Sequence, residues 1–498
     1  MFPWKHSIAR FYKIAPLLFF MITLPLWGSG EKYVKVDDIE SLKLLSSHEE
    51  VDSILLAQTK LNRAFVSKFA EILETINGER VCVSSESSPL KLRIVNLTQE
   101  DAQKLQLLNK DICDPVDGLN CGDDLWMRDF AKFALVKLKG IKEKKLLIID
   151  TNRERGTNGL PKLLSHIGKD SVIVKVPKYS KNNGSGDYGG NIEVTANDIL
   201  YTGSNLSLEM ANLFVTKGYA NKMVLMDNDW LRVGHVDEQV SVLTLPNDPC
   251  GMAIVKADPR SALSLWMSQS LPEKQLSLVA ANNYVEAKDD YALDRYKQLQ
   301  KDMEIFHKDF QENMKKKEDD DSAQKSSNGF VIERPMGSRN LLQEQFAIAN
   351  IIDKNVQLLK AKIIERSPEC KEIRTISLPV IFKCEGIKAL TSISYLPIKC
   401  GSLFPNSVNM LSLGKELIVP DPIFPPFQEE VKKSLDSLDK KSYLLGDFCY
   451  HIRNGEIHCG TNELRRTDWE TLLREKKKAN KNSVGSCLPS LIRRKLKK

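Results

Sequence analysis

The sequence contains no Cys-x-x-Cys pair and no cluster of cysteine and histidine at zinc spacing. A structural zinc ion is therefore not expected, although the chain has ten cysteines. The glycine-rich segment 181–190 lacks the pattern of a phosphate-binding loop. Apart from residues 15–27, no apolar run approaches the ~20 residues that a membrane-spanning helix needs. These absences argue against zinc modules, phosphate-loop enzymes and multispanning membrane proteins.

Net positive charge is confined to the two ends of the chain. The formal net charge is +7 over 498 residues. Residues 1–30 carry three basic and no acidic residues, and residues 471–498 carry ten basic residues and one acid. The remainder is mildly acidic, so no nucleic-acid partner is expected, and the basic tail 471–498 is expected to be solvated. A hydrophobic content of 42% and a charged content of 28% are typical of a globular protein.

The first thirty residues resemble a secretory signal. Lys5, Arg10 and Lys13 precede the apolar segment 15–27, and the small residues 28–30 follow it. This order predicts a signal peptide over residues 1–30, an exported or secreted protein, and no stable membrane span after signal removal. An uncleaved N-terminal membrane anchor is the alternative. An exported protein could oxidise some of its cysteines, but the sequence does not indicate which ones pair.

Hydrophobic spacing predicts an α/β protein. Apolar residues at helical spacing predict a helix over residues 38–77, ended by Gly78, and a strand at Arg80–Ser84. Residues 86–121 are expected to form a loop-rich insertion, and Lys144–Asp150 is predicted to be a strand. The charged segment 314–329 is expected to be a solvated, mobile loop.

The segment Tyr450–Asn462 places Cys459 after a short alternating apolar run and directly before Gly460. The glycine permits a tight turn and removes side-chain bulk, so we expect the cysteine at a strand end with its sulfur facing a space. This arrangement suits a nucleophile that is activated by nearby charge or a proton acceptor. A buried, inert cysteine fits the same segment equally well.

His235 and Asp237 stand two residues apart in Val233–Asp237, whose alternation predicts a strand with both side chains on one face. Histidine transfers protons near neutral pH, so the pair is a candidate for catalysis. A structural His–Asp pair is the simpler explanation for these two residues alone. Likewise, a lone Trp-x-x-Asp such as Trp126–Asp129 is most simply a core aromatic beside a surface acid.

Four segments, taken together in their order along the chain, favour the catalytic explanation over the structural one. They are Trp126–Asp129, Asp187–Val194, Asp229–Glu238 and Tyr450–Asn462. Together they closely resemble the catalytic domain of the protein-arginine deiminases (peptidylarginine deiminases). The similarity is clearest over residues 80–466 and is supported by Asp150–Gly156 and Phe404–Met410.

The resemblance implies the pentein fold of the guanidino-group-modifying superfamily, a five-bladed α/β propeller with pseudo-fivefold symmetry. The catalytic domain would occupy residues 31–470, with a helical N-terminal segment and without the immunoglobulin-like domains of vertebrate members. It further implies that Asp129 and Asp237 hold a guanidinium, that Cys459 attacks its central carbon, and that His235 moves the protons. Two carboxylates complement a guanidinium because arginine is cationic at any ordinary pH.

The resemblance also implies substrate-binding residues. Trp126 would cover the apolar stem of the substrate, and Arg153 and Arg155 would lie at the mouth of the site and hold the peptide backbone of the substrate. Arg453 is expected near the same mouth. Without the resemblance, Arg153 and Arg155 would be interpreted as solvated surface residues.

Calcium is possible, since members of the family are often calcium-dependent, but its ligands look replaced. In such members the counterpart of Glu193 binds calcium beside the active site. The other ligand positions there hold Arg128, Phe130 and Lys132 in this chain, which cannot ligate a cation that needs ~6–8 oxygens. We therefore expect no required cofactor, with Arg128 or Lys132 pairing with Glu193. Asp150 is retained from a second calcium site of the family.

The expected activity is deimination of arginine in a peptide or protein to citrulline with release of ammonia, through a covalent thiouronium on cysteine. A small-guanidine deiminase or amidinotransferase of the same superfamily is the first alternative. A catalytically silent, exported arginine-binding protein is the second, although all four catalytic residue types are present. The sequence indicates neither the target protein nor the oligomeric state.

Overall fold

A computed structural model of the chain describes residues 33–83, 89–95, 113–116, 124–151, 153, 171–177, 184–269, 341–385 and 399–466, with single positions between 294 and 308. The expected signal 1–30, the charged loop 314–329, the basic tail 471–498 and Arg155 lie outside these residues. Strands β1 to β20 follow in chain order. They are Tyr33–Val34, Ile39–Leu44, Val51–Ala57, Lys91–Val95, Cys113–Val116, Ala131–Leu138, Lys145–Asp150, Ser171–Lys175, Ile192–Val194, Leu200–Gly203, Met223–Met226, Val240–Thr244, Met252–Asp258, Arg374–Pro379, Phe382–Glu385, Lys399–Ser402, Leu411–Ser412, Glu416–Pro420, Lys441–Leu445 and Thr461–Arg465.

The α-helices of the described part, α1 to α7, vary widely in length. They are Arg63–Val83, Leu208–Phe214, Pro259–Met267, Leu341–Arg366, Pro425–Asp436, Phe448–His451 and Ile457–Gly460. Short 3₁₀ turns occur at Val36–Asp38, Met127–Phe130, Gly189–Asn191 and Val236–Glu238, and a π turn at Val215–Tyr219. Local sequence fixes where several helices begin. Asp258, for example, caps α3 by accepting hydrogen bonds from the N–H groups of Arg260 and Ser261, with Pro259 at the first helical position.

Five of the six sheets in the described residues share one three-strand pattern. A central strand pairs antiparallel with one neighbour and parallel with the other. The five units are β6-β7-β8, β9-β10-β11, β12-β13-β14, β17-β18-β19 and β20-β3-β4. Strands β1, β2 and β5 extend two of these sheets, and β15-β16 forms a separate hairpin. The α/β class predicted from the sequence is confirmed.

The parallel pair in each unit needs a crossover connection, which is usually helical. Helix α2 connects β10 to β11, helices α3 and α4 lie between β13 and β14, α5 connects β18 to β19, and α1 connects β3 to β4. These helices bury one apolar stripe against the sheets. In α4 the fully or almost fully buried side chains recur every three or four residues, at Ile348, Ile352, Val356, Leu359 and Ile363.

The helix predicted over residues 38–77 is wrong in its first half. Residues 39–44 and 51–57 form β2 and β3, which pair with β6 and with β20 and β4. Short apolar runs fit a buried strand as well as a helix, and here distant pairing partners decide. The expected helical N-terminal segment is therefore replaced by strands of two sheets. Helix α1 continues past the exposed Gly78 to Val83, so the glycine does not end it and no strand forms at residues 80–83.

Two further local predictions are wrong. Residues 86–121 are more than a loop-rich insertion, since they contain β4 and β5 of a four-stranded sheet. The alternating segment Val233–Asp237 forms no strand. Gly234 has a φ of +80°, and the side chain of Glu238 accepts a hydrogen bond from the His235 N–H at 3.0 Å, which together set a 3₁₀ turn. Lys145–Asp150 is a strand, as predicted.

Two disulfides join described cysteines. Cys250–Cys370 closes the crossover that contains α3 and α4, and Cys384–Cys400 links the two strands of the β15-β16 hairpin. Cys449 and Cys459 are free thiols. Within the described residues, no helix is both long and apolar enough to cross a membrane.

Candidate active site

The four residues expected to be catalytic occupy equivalent places in three of the repeated units. Asp129 lies in the 3₁₀ turn directly before β6, and His235 and Asp237 lie at the 3₁₀ turn before β12. Cys459 lies in the one-turn helix α7 directly before β20, so it precedes a strand rather than standing at the end of one. The repeated pattern therefore brings short turns from distant parts of the chain to one place.

These turns bring the four side chains together. One functional atom each from His235, Asp237 and Cys459 lies within 4.8 Å of the others. Cys459 Sγ is 3.6 Å from Asp237 Oδ2, and His235 Nδ1 is 4.0 Å from Asp129 Oδ1. All four residues are at most 6% exposed. The arrangement is a buried thiol and an imidazole beside two carboxylates.

Three polar atoms of this cluster are buried without a hydrogen-bond partner. They are Asp129 Oδ1, Asp237 Oδ1 and His235 Nδ1. Buried polar groups are normally satisfied, because leaving one unpaired costs free energy. A planar cation with several N–H donors supplies the missing partners, and a guanidinium offers five such donors.

The second oxygen of each carboxylate is already bound inside the protein. Asp129 Oδ2 accepts a hydrogen bond from the Arg153 guanidinium. Asp237 Oδ2 lies 2.7 Å from His458 Nδ1, which must be the donor because an ionised carboxylate only accepts. Each carboxylate is thus held by one oxygen and leaves the other for a ligand.

The tautomer of His235 follows from its other ring nitrogen. His235 Nε2 lies 3.1 Å from the Ser185 carbonyl oxygen, which can only accept a hydrogen bond, so Nε2 carries a hydrogen. Nδ1 is therefore the nitrogen without a hydrogen in the neutral ring. Gly190 keeps the approach to Nδ1 open, since a Cβ at this position would lie 2.7 Å from it.

Burial and neighbouring charges shift the pKa values of the site residues in different directions. Burial raises the pKa of the Cys459 thiol well above its usual value, and Asp237 and Asp129 raise it further. Burial also raises the pKa of Asp129, more than His235 and Arg153 lower it. Asp237 has a lowered pKa, because the hydrogen bond and charge of His458 outweigh its burial. A bound cation would reverse the penalty on the thiolate.

Arg153 lies inside the protein rather than on its surface. Its side chain is 1% exposed and forms two hydrogen bonds of 2.9 Å to the two carboxylate oxygens of Asp124. The guanidinium lies 5.2 Å from the centre of the Tyr188 ring and 5.6 Å from that of Phe130. This residue connects Asp124 to Asp129.

The other residues expected at the substrate mouth differ in their surroundings. Trp126 is partly buried and packs on Tyr450, with ring centres 5.6 Å apart. Arg453 donates a hydrogen bond of 2.7 Å to the Cys449 carbonyl oxygen.

At the family's calcium positions, Lys132 pairs with Glu193 whereas Arg128 does not, and Phe130 is buried. Asp150 ends β7 and is half-buried.

Three supporting residues were not singled out in the sequence. Asn409 accepts a hydrogen bond from the Cys459 N–H at 3.2 Å and donates one to the Asp237 carbonyl oxygen at 3.3 Å. His458 and Asp124 hold Asp237 and Arg153 as described above. Asn409 lies in Phe404–Met410, a segment that supports the family resemblance, and His458 adjoins the predicted nucleophile, so position in the sequence was the available signal.

A known family, curated proteins and solved structures are similar to this chain. A family model described as protein-arginine deiminase (PAD) matches residues 76–470. Human protein-arginine deiminase type-4 is 27% identical over 372 residues, covering 69% of this chain and 47% of its own length. Mouse protein-arginine deiminase type-4 is 25% identical over 413 residues, covering 78% of this chain and 52% of its own length. The chain spans about half the length of these curated relatives.

Similar solved structures include the agmatine deiminase of C. jejuni, with a TM-score of 0.45 and 12% identity over 86% of this chain and 96% of that chain. Another is a putative agmatine deiminase with a TM-score of 0.47 and 13% identity, covering 88% of this chain and 99% of that chain. The family match covers most of the chain and all four residues of the buried cluster. The chain belongs to the protein-arginine deiminase family.

Proposed function

We propose that this protein hydrolyses the guanidinium of arginine in peptides or proteins to a urea, giving citrulline and ammonia. The observation that carries the proposal is the set of three buried, unpartnered atoms around Cys459, namely Asp129 Oδ1, Asp237 Oδ1 and His235 Nδ1. They match the donors and the charge of a guanidinium. Membership of the family supports arginine as the source of that group.

In the proposed reaction, N–H groups of the substrate donate to Asp129 and Asp237, which orients the central carbon. The bound cation lowers the pKa of Cys459, and the thiol proton passes to His235 Nδ1. Sulfur then attacks the carbon and forms the C–S bond. His235 returns the proton to one terminal nitrogen, the C–N bond breaks, and ammonia leaves.

The second half of the reaction removes the sulfur. The covalent intermediate is a thiouronium, in which the side chain of the substrate remains joined to Cys459. His235 takes a proton from water, and the oxygen attacks the same carbon. The C–S bond then breaks and the thiolate is regenerated, to be reprotonated by His235. The hydroxyl group on the carbon loses its remaining proton to solvent, and the substrate leaves as a urea.

We propose further that the five repeated three-strand units form the five-bladed propeller that the resemblance implies. The shared strand pattern supports this arrangement, as does the position of the catalytic turns before the first strand of three units. In two more units, a segment directly before the first strand also contacts the buried cluster. The turn Gly189–Asn191 precedes β9, and Asn409 lies before β17.

A small guanidine is the alternative substrate. The specific observation that favours it is the burial of Arg153, whose side chain is 1% exposed and bound to Asp124 and Asp129. An arginine that is engaged in this way is not available to hold a peptide backbone. The choice between the two substrate classes therefore depends on measurement.

We also propose that the protein is exported. The signal pattern in residues 1–30 supports this, as do the disulfides Cys250–Cys370 and Cys384–Cys400, since disulfides persist mainly in oxidising compartments. An uncleaved N-terminal membrane anchor would be compatible with the same disulfides. Detecting the chain in the medium with a new N-terminus near residue 30 would distinguish the two.

The test is citrulline and ammonia release by the protein without residues 1–30. The substrates are a peptide with one arginine and blocked ends, free arginine and agmatine, each with Cys459→Ala as the control. Turnover of the peptide with much higher kcat/KM than the small guanidines is expected. Turnover of only the small guanidines would move the assignment to the alternative, and no turnover of any of the three would contradict deimination.

A further inference from the structure

The charged cluster behind the catalytic carboxylates contains its own cations. Lys132 Nζ lies 2.8 Å from Glu193 Oε1, and the two side chains are 5% and 16% exposed. Arg128 forms a 2.6 Å ion pair with Glu463, and both side chains are 4% exposed. These carboxylates are therefore neutralised by side chains of the protein.

This donor set does not fit calcium, the ion that the family implies. Calcium takes about six to eight oxygen ligands. Positions 128, 130 and 132 offer a guanidinium, a phenyl ring and an ammonium group. Of the carboxylates near Arg128, Glu193 and Glu463 each already have a cation at hydrogen-bond distance. Asp237 is held by His458. A divalent cation here would have to displace buried positive charges.

A chain of polar contacts leads from Lys132 to Cys459. Glu193 lies between Lys132 and His458, with 3.9 Å from its Oε1 to His458 Nε2. His458 Nδ1 then donates to Asp237 Oδ2 at 2.7 Å, and the same oxygen is 3.6 Å from Cys459 Sγ. The position of the catalytic carboxylate is thus linked to an ammonium group three contacts away.

Arg128 holds the backbone of the same segment. Its Nε donates a hydrogen bond of 3.2 Å to the His458 carbonyl oxygen, while its other end pairs with Glu463 in β20. Burial raises the pKa of Glu463, but the charges of Arg128 and Arg465 outweigh it and hold that pKa at about 2. Arg128 therefore links the helix that carries Cys459 to the strand that follows it.

We propose that Lys132 and Arg128 take the place of a bound metal ion, so that the nucleophile segment is assembled without calcium. Lys132 acts through Glu193 and His458 on Asp237, and Arg128 acts on the backbone at His458. Both are positioning residues, because each acts on Asp237 or on the segment that carries Cys459 through another group. The inference rests on the proposed deiminase function but makes separate claims about metal binding.

The first test measures metal binding without using activity. The wild-type protein is stripped with a chelator, and its unfolding temperature and terbium luminescence are followed during titration with calcium and terbium. No change in unfolding temperature and no saturable luminescence are expected. A stoichiometric, saturable signal that is lost in Glu193→Gln would overturn the proposal even if the protein deiminated nothing.

The second test measures catalysis in chelator. Lys132→Met should lower kcat at least about tenfold with little change in KM, because the residue orients Asp237 but does not touch the substrate. Lys132→Arg retains the cation and should recover most of the activity. Lys137→Gln is the matched control in the same strand. Its side chain is 44% exposed and pairs with Glu40, and the variant should behave as wild type.

The outcomes separate this inference from the function that it rests on. Activation of the wild type by calcium of tenfold or more would overturn the inference and leave the deiminase function standing. A kcat of Lys132→Met equal to that of the wild type would also overturn the inference and leave the deiminase function standing. If Lys132→Met does not fold, the calcium response of the wild type still decides. If the wild type never turns over, the function fails and the metal-binding measurement remains decisive.

Discussion

At the scale of residues, the two carboxylates of the buried cluster are held in the same way. One oxygen of Asp129 accepts a hydrogen bond from Arg153, and one oxygen of Asp237 accepts a hydrogen bond from His458. The other oxygen of each carboxylate is buried without a hydrogen-bond partner. Fixing one oxygen restricts the orientation of the carboxylate, so the free oxygen points in one direction before substrate arrives. Such preorganisation is a general source of catalytic power.

Arg153 allows this account to be distinguished from the role implied by family resemblance. Arg153→Lys keeps a positive charge but loses the fork that binds Asp124 and Asp129 together. We expect kcat/KM to fall at least about tenfold, or about 1.4 kcal/mol, for a small guanidine as well as for a peptide. A loss confined to the peptide would show instead that Arg153 acts only on the substrate backbone.

The raised pKa of Cys459 predicts how the free enzyme reacts with alkylating agents. Because burial, Asp237 and Asp129 all disfavour the thiolate, the rate of alkylation by iodoacetamide should still be rising at pH 9. Asp237→Asn removes one of the three causes, so the variant should alkylate faster than wild type at pH 8 while turning over substrate more slowly. Slower alkylation of the variant would contradict the assigned electrostatics. Cys459→Ala controls for labelling elsewhere.

At the scale of elements, the sequence predicted which residues lie close together better than it predicted the elements that carry them. His235 and Asp237 were placed on one face of a strand, yet Gly234 and the Glu238 cap set a 3₁₀ turn that still brings them together. Residues 39–57 have apolar spacing that fits either helix or strand. Their assignment depends on pairing with β6 and β20, which local sequence does not contain.

The turn that carries Cys459 requires a glycine for space. A Cβ at Gly460 would lie 2.5 Å from Cε1 of the fully buried Tyr450 ring. Gly460→Ala should therefore destabilise the protein by ~1–3 kcal/mol and lower activity. Gly78→Ala is the matched control, since that glycine is exposed within α1 and has nothing within 4 Å of the added Cβ.

The control substitution should stabilise the protein, by ~0.5–1 kcal/mol, because alanine favours the helix interior over glycine. Urea unfolding followed by circular dichroism measures both variants. Equal stability of Gly460→Ala and wild type would show that the Tyr450 ring moves aside without cost. The space argument for this glycine would then fail.

At the scale of the whole molecule, the catalytic residues come from units far apart in the sequence. The unit that follows Cys459 is itself assembled from both ends of the described chain, because β20 pairs with β3. Such long-range pairing explains why single segments of sequence left catalytic and structural explanations open. Only the presence of several segments in one order favoured the catalytic explanation.

The two disulfides should contribute unequally to stability. The two cysteines of Cys250–Cys370 are 120 residues apart in the sequence, and those of Cys384–Cys400 are 16 residues apart. Chain-entropy arguments assign about 5 kcal/mol to the longer loop and about 3 kcal/mol to the shorter one. Replacing both cysteines of the longer loop with serine should therefore lower the unfolding midpoint more than the same change in the shorter loop. The reverse order would contradict the chain-entropy explanation.

The central claim is that Cys459 attacks a guanidinium held by Asp129 and Asp237, and one measurement tests it most directly. A blocked arginine peptide is mixed with the enzyme, quenched in acid within one turnover, and the intact protein is weighed by mass spectrometry. The account predicts an adduct equal to the peptide less one ammonia, mapped to Cys459 and absent in Cys459→Ala. Citrulline formation without any adduct, or with an adduct on another residue, would contradict it.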